Sequence, residues 1–258
     1  MAEAMIRGLL RAGASASNLA VSDPSEERRA HLARTCGIAS SVDNRAIVRD
    51  AQIVVLAIKP QQLPAVLDEL RGALAGDAVV LSIVAGVRLA RLTQTLAHDA
   101  IVRAMPNTPV TVGAGATVWT ATAATSDAQR QRVRALLGAT GLELEVAEEA
   151  GVERATGLSG PMPAFAFLVI EALIDAGVGL GIPVEQARAL TLQSLHGSIE
   201  LMRQTQQHPA VLRAQVVSPG GATASGLLAL ERAGVRAAFH DAVSAVYRRA
   251  LELGDPNE

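Results

Sequence analysis

The hydrophobic pattern divides the chain into a first half of alternating elements and a second half that is helical throughout. Met5, Leu9 and Ala12 recur at helical spacing, so 1–12 is predicted as an amphipathic helix with Gly13 as its C-cap. Short strands are predicted at 18–23 and 39–42, and Pro24 opens a charged helix between them that ends near Cys36. Two later runs drop the helical rhythm: 52–58, centred on Ile-Val-Val-Leu-Ala-Ile, and 78–84, centred on Val-Val-Leu-Ser-Ile-Val. Apolar runs without alternation are what parallel strands covered on both faces require. The helical spacing of 60–74 between them completes a βαβ unit. Strands at 101–105, 117–121 and 142–146 and a helix at 126–137 finish this half. The predicted fold is α/β: a doubly wound, Rossmann-type parallel sheet over residues 1–148, of the kind that binds dinucleotides across its strand ends.

Beyond about 149 the strand pattern stops, and 163–180, 184–204, 209–216, 221–233 and 235–253 read as helices, giving an all-α domain at 149–258. The first of these is apolar on more than one face, through Phe165, Phe167, Leu168, Val169, Ile170, Leu173 and Ile174. A helix apolar nearly all round is buried, in its own core or against another subunit, and this pattern alone fits either.

Composition narrows the function classes. Half of the 258 residues are hydrophobic but 2% are aromatic, so the core is built from Ala, Leu and Val. A net charge of −2 argues against nucleic acid as a partner, because such proteins usually carry a basic stripe. No apolar run reaches about 18 residues, so no membrane span is expected. The start has no signal-peptide form, and the single cysteine, Cys36, allows no internal disulfide; a cytoplasmic protein is expected. No metal site is expected either.

One polar stretch stands out in the helical half: Ser218-Pro-Gly-Gly-Ala-Thr-Ala-Ser225, which runs straight into Leu227, Leu228 and Leu230. The helix that follows would present unpaired N–H groups and the positive end of its dipole around Gly220, Gly221 and Thr223. The hydroxyls of Ser218 and Thr223 would add donors, a set suited to a carboxylate or phosphate. Taken alone, the stretch fits an ordinary helix entry better than an anion site. Lys59, at the exit of a predicted buried strand, likewise fits either a ligand contact or a strand leaving the core.

These segments together resemble the pyrroline-5-carboxylate reductase family. The matching pieces are Thr156-Gly-Leu-Ser-Gly160, the run from Ile170 to Gly177, His208-Pro209 and Ser218-Pro-Gly-Gly-Ala-Thr223. Upstream, Ala57-Ile-Lys-Pro60 and Arg103-Ala-Met-Pro-Asn-Thr-Pro109 resemble the nucleotide-domain motifs of the same family, in the same order. The resemblance implies hydride transfer from a reduced nicotinamide to the C=N carbon of 1-pyrroline-5-carboxylate, giving proline. It implies a small imino acid as partner, and a homodimer or higher homo-oligomer in which the helical domain interlocks with its copy. Substrate-side residues would be Thr223, Ser218, Gly220, Gly221 and Ser159; cofactor-side residues would be Asp23, Asn44, Lys59, Pro60 and Asn107. The family leans to NADP, whereas Asp23, ending the second strand of the implied fold, would take both ribose hydroxyls of NAD unless Arg28 or Arg29 turns inward.

The chain departs from the family pattern in three places. Its first residues resemble the helix that follows the family's glycine-rich turn, so a first strand and phosphate-binding glycines are missing; weakened nucleotide binding and unpaired sheet edges would follow. Pro161, Met162 and Phe165 stand where a serine, a glycine and a tyrosine are usual, and Gln206 where a glutamate is common. These differences keep two alternatives open: a reductase of another cyclic imine or keto acid, and a catalytically silent oligomeric scaffold. His208 is expected to orient the turn at Pro209 rather than act as an acid.

Overall fold

The computed structural model describes residues 1–253, so the last five residues of the expected helical domain lie outside the described residues. The first half contains β1 (Ala20–Ser22), β2 (Ala39–Ser41), β3 (Ile53–Leu56), β4 (Val79–Ser82), β5 (Ile101–Pro106), β6 (Gly115–Ala121) and β7 (Gly141–Glu145). Its helices are α1 (Ala2–Arg11), α2 (Glu26–Cys36), α3 (Asn44–Val48), α4 (Leu63–Leu70), α5 (Leu89–Leu96) and α6 (Asp127–Gly138). The second half contains α7 (Glu149–Ser159), α8 (Met162–Gly179), α9 (Val184–Thr205), α10 (Pro209–Gln215), α11 (Ala222–Arg232) and α12 (Val235–Leu253). Helices α3, α5 and α7 were not among the expected elements.

Local chemistry accounts for the helix limits. Ser25 accepts the Arg28 N–H at the start of α2, and Gly37, in the left-handed region, closes it. Ser126 and Gln129 form a reciprocal capping box at the start of α6. Gly13, one residue beyond the half-helical Ala12, takes a positive φ and closes α1 as expected, the Gly13 and Ala14 N–H groups donating to Leu10 O and Leu9 O.

The chain forms two compact units. The first holds residues 1–161 and, from Ala245 on, the end of α12. The expected boundary at 148/149, where strands cease, thus falls before α7. That helix stays with the sheet because it packs on β5 and β6. It also lies against α12 so closely that a Cβ on Gly157 would come within 3.1 Å of Tyr247 Cβ.

Five strands run in the order β3-β4-β5-β6-β7, with β3, β4 and β5 mutually parallel and β6 parallel to β7. Strands β5 and β6 meet antiparallel, a departure from a wholly parallel sheet. The loop from Pro106 to Gly115 is shorter than the dozen or so residues that a parallel crossover needs. Both faces are covered. Val54, Leu56, Val80 and Ile101 pack with Leu63, Leu67, Leu70, Leu92 and Leu96 of α4 and α5. On the other face Val79, Leu81, Val102, Ala104 and Trp119 pack with Met5 of α1 and Val133, Leu136 and Leu137 of α6.

Strands β1 and β2 pair in parallel as a separate two-stranded sheet, over a small core of Leu32, Cys36 and Ile38. Among the described residues β1 pairs with β2 alone and β3 with β4 alone, so each keeps one unpaired edge. Helix α1 is tied to α2 through Glu3, whose carboxylate takes Arg7, Arg28 and His31.

The second unit, residues 162–244, has little core of its own. Helices α8 and α9 pack where Gly177 admits Ala187, the one fully buried residue among those described in this unit. Phe167 is 67% exposed, and Leu168, Leu190 and Ile199 are also exposed. By length and composition alone the helical stretch Glu149–Gly179 would be apolar enough to cross a membrane, although no uninterrupted apolar run in it reaches about 18 residues. The acidic side chains of Glu171 and Asp175 lie within α8.

Two outcomes follow. Backbone groups alternate between the two edges of a strand, and Val79 and Ile83 donate to Gln52 and Leu56, so the Ile53 and Val55 amides face the unpaired edge of β3. In native-state hydrogen exchange those two amides should exchange at least about tenfold faster than those of Val54 and Leu56; equal protection would show that the edge is paired. The second concerns acid. The hydrogen bond from His31, then that from Arg7, holds the Glu3 carboxyl at about 2, well below its ordinary 4.5. A depressed carboxyl stabilises fully above its unfolded value and loses that contribution as pH falls through the folded one. Glu3→Gln should therefore flatten the loss of stability between pH 4.5 and about 2, measured by urea unfolding. An unchanged slope over that interval would remove Glu3 from the acid response.

Candidate active site

In the first unit the expected cofactor-side residues gather at the C-terminal ends of parallel strands. Asp23 follows β1, and its Oδ1 accepts the Ser25 N–H at 2.9 Å, while its backbone N–H pairs with Ser41. Arg29 turns inward here: its Nη1 donates to the carbonyls of Asp23 at 2.7 Å and Pro24 at 3.0 Å. Arg28 instead reaches Glu3. Asn44 is not in a loop but is the first residue of α3, capped by Asp43, and its Nδ2 donates to Glu69 at 2.8 Å. Lys59 follows β3 and is exposed; among the described residues no carboxylate pairs with its ammonium. Pro60 begins the single tight turn that leads into α4.

Asn107, just past β5, is fully engaged. Its Oδ1 accepts the Ala116 N–H at 2.8 Å and its Nδ2 donates to the Ser159 carbonyl at 3.1 Å. Ser159 turns its own hydroxyl to Ala155 O at the end of α7. These two residues, expected on different sides of the chemistry, are thus in direct contact. Sequence reading gave no role to the group at the other end of α7. Arg103, 3% exposed in the middle of β5, donates from Nη1 to Glu149 Oε1 at 2.8 Å and Glu153 Oε1 at 2.5 Å. Glu149 Oε1 also accepts the Leu89 N–H that opens α5. The signal for it was a lone arginine inside the apolar run Ile101-Val-Arg-Ala-Met105.

In the second unit, Ser218 to Gly221 form the turn that opens α11. Gly220 takes a positive φ, the Gly221 N–H donates to Ser218 O, and Gly221 is the N-cap. A Cβ on Gly221 would overlap Ser218 Oγ. Thr223 lies one residue inside the helix and makes no cap bond. The first-turn amides of Ala222, Thr223 and Ala224 have no partner within the helix, as at any helix start. The turn is exposed, and the hydroxyls of Ser218 and Thr223 make no hydrogen bond among the described residues. His208 accepts the Ala210 N–H on Nδ1, which caps α10 at Pro209, and Gln206 ends α9 with a positive φ.

Known proteins resemble this chain over nearly its whole length. Residues 149–253 match the family model described as pyrroline-5-carboxylate reductase dimerisation, and residues 1–86 match that described as NADP oxidoreductase, coenzyme F420-dependent. A pyrroline-5-carboxylate reductase from Synechocystis is 41% identical over 255 residues, covering 98% of this chain and 95% of the relative. The structure of such a reductase from Coxiella burnetii superposes with a TM-score of 0.92 at 35% identity, covering 98% and 95% of the two chains. One from Plasmodium falciparum with NADP bound gives 0.87 at 30% identity, covering 98% and 94%. With identity at this level sustained over nearly the whole chain, the protein belongs to the pyrroline-5-carboxylate reductase family.

Proposed function

We propose that this protein reduces 1-pyrroline-5-carboxylate to L-proline, with NADPH as the hydride donor, as a cytoplasmic homodimer or higher homo-oligomer. The observation that carries the reading is the start of α11, where unsatisfied amides and two unused hydroxyls form a ready anion site on the substrate side.

The residues present fit a dinucleotide. Lys59 offers a positive charge without an acidic partner at the end of β3, where ligands of such sheets bind. Arg29 sits on the carbonyls of Asp23 and Pro24 and brings a cation to the end of β1. That cation offsets the repulsion of Asp23 toward a 2′-phosphate and supports NADP, while the Asp23 carboxylate leaves NAD usable. Pro60 fixes the exit of β3, and Asn44 keeps an amide oxygen at the end of β2. When bound, the reduced nicotinamide supplies a hydride to the imine carbon. The ring nitrogen takes its proton from water, so the protein needs no dedicated acid. Thr223, Ser218 and the amides after Gly221 hold the substrate carboxylate, and Gly220 and Gly221 keep that approach open. Asn107 and Ser159 fix the turn beside the cofactor side. The work is positioning, which can supply a large part of the barrier reduction.

The apolar faces of α8 and α9 support a second copy as their cover, since a unit with one buried side chain has too little core to stand alone. A second reading, a reductase of another cyclic imine, rests on Pro161 and Met162, which remove a backbone donor and add bulk just after Ser159.

Thr223→Ala removes one hydrogen bond to a charged group, so kcat/KM for the imine should fall roughly ten- to a hundredfold, from about 1.5–3 kcal/mol. Cofactor affinity should stay within about twofold, because the dinucleotide residues lie in the other unit. Steady-state kinetics and a melting curve on one sample check this. A lowered melting point with normal kcat/KM would make Thr223 a structural residue and remove the anion site.

A further inference from the structure

We propose that Arg103 is a positioning residue for the reduction: by fixing where α7 lies along β5, it sets the contact between Ser159 and Asn107. The proposal rests on the reading of function above for its catalytic part and on geometry alone for the rest.

Helix α7 is clipped to β5 at both ends. At its start Glu149 and Glu153, one turn apart on the same face, converge on the single Nη1 of Arg103. At its end the Ser159 carbonyl takes the Asn107 amide. Arg103 and Asn107 are four residues apart on extended chain, about 13 Å. Glu149 and Ser159 are ten residues apart on a helix, about 15 Å. The near match means that helix and strand run side by side over this stretch, and a shift at one clip is felt at the other. The helix is also held at its flank, by the close approach of Gly157 to Tyr247, so it is more free to slide along its axis than to tilt away.

The charge balance points the same way. One guanidinium faces two carboxylates in a site where Arg103 Nε and Glu153 Oε2 are buried without a partner. A buried ion pair with leftover unpaired atoms is a poor source of net stability, and apolar side chains would pack such a site at least as well. What the group does supply is registry. Nη1 donates to both carboxylates at one axial setting of α7, and a sliding helix would break both contacts at once. Glu149 extends the reference frame to the N-terminus of α5 through the Leu89 amide.

The test reads the far clip directly. The Ala116 amide donates to Asn107 Oδ1, so its exchange rate reports whether Asn107 is held by Ser159. Arg103→Lys keeps the charge, but its ammonium ends one bond short of the place of Nη1 and cannot reach both carboxylates where they stand. It should speed exchange at Ala116 by roughly tenfold while Val118, in the same strand, stays within about twofold. In the same variant kcat for the imine should fall about tenfold with KM for cofactor unchanged. Its effect on kcat should also be non-additive with that of Asn107→Ala in a double-mutant cycle. Glu153→Gln, closer in shape, should give smaller changes in the same directions and serves if Arg103→Lys does not fold. Unchanged Ala116 exchange, uniform acceleration along β6, or additive effects on kcat would each overturn the proposal. A wild type that forms no proline would instead overturn the reading of function, while Ala116 exchange would still decide whether Arg103 governs the clip.

Discussion

Strand β4 has no exposed side chain: Val79, Val80, Leu81 and Ser82 are all at 0%. Every larger feature of the first unit follows from that constraint. A strand with neighbours on both edges and apolar side chains on both faces must have helices above and below, here α4 and α5 on one side and α1 and α6 on the other. Covering both faces leaves only the strand ends for polar chemistry. Lys59 and Asn107 sit at such ends for that reason, whereas Asp23 and Asn44 follow β1 and β2 of the separate two-stranded sheet.

The second unit obeys the opposite condition. Its helices are apolar, yet among the described residues of this unit only Ala187 is buried, and Phe167, Leu168, Leu190 and Ile199 stay exposed. The Ser218–Thr223 turn that opens α11 in the same unit likewise leaves its hydroxyls exposed. Between the two conditions stands α7, helical like the second half but packed with the first, with Val152 buried and Glu149 and Glu153 paired to Arg103.

How much of this was legible depends on where the controlling contacts lie. Strands β3 and β4 could be read because their environment is written into their own residues as unbroken apolar runs. Helix α2 was bounded by its own Pro24 and Gly37. Helix α7 escaped because it carries Gly151 and Gly157 and buries only Val152 and Gly157, a weak apolar stripe, and because its partner Arg103 is distant in sequence. The antiparallel meeting of β5 and β6 is invisible to periodicity, although the short loop after Pro106 carried the information. The Asn107–Ser159 contact could not have been found from either residue's own motif, since each was assigned a ligand rather than the other. The start of α11 was legible, because its turn chemistry is local and complete within a few residues.

The account turns on a hydride moving from the nicotinamide to the imine carbon on this chain. The most direct test is to incubate the protein with 1-pyrroline-5-carboxylate and NADPH carrying deuterium at the transferable position of the nicotinamide C4, then analyse the proline by mass spectrometry. Proline carrying one deuterium on the former imine carbon is the predicted result. Proline without deuterium, or no proline above the protein-free control, would contradict it.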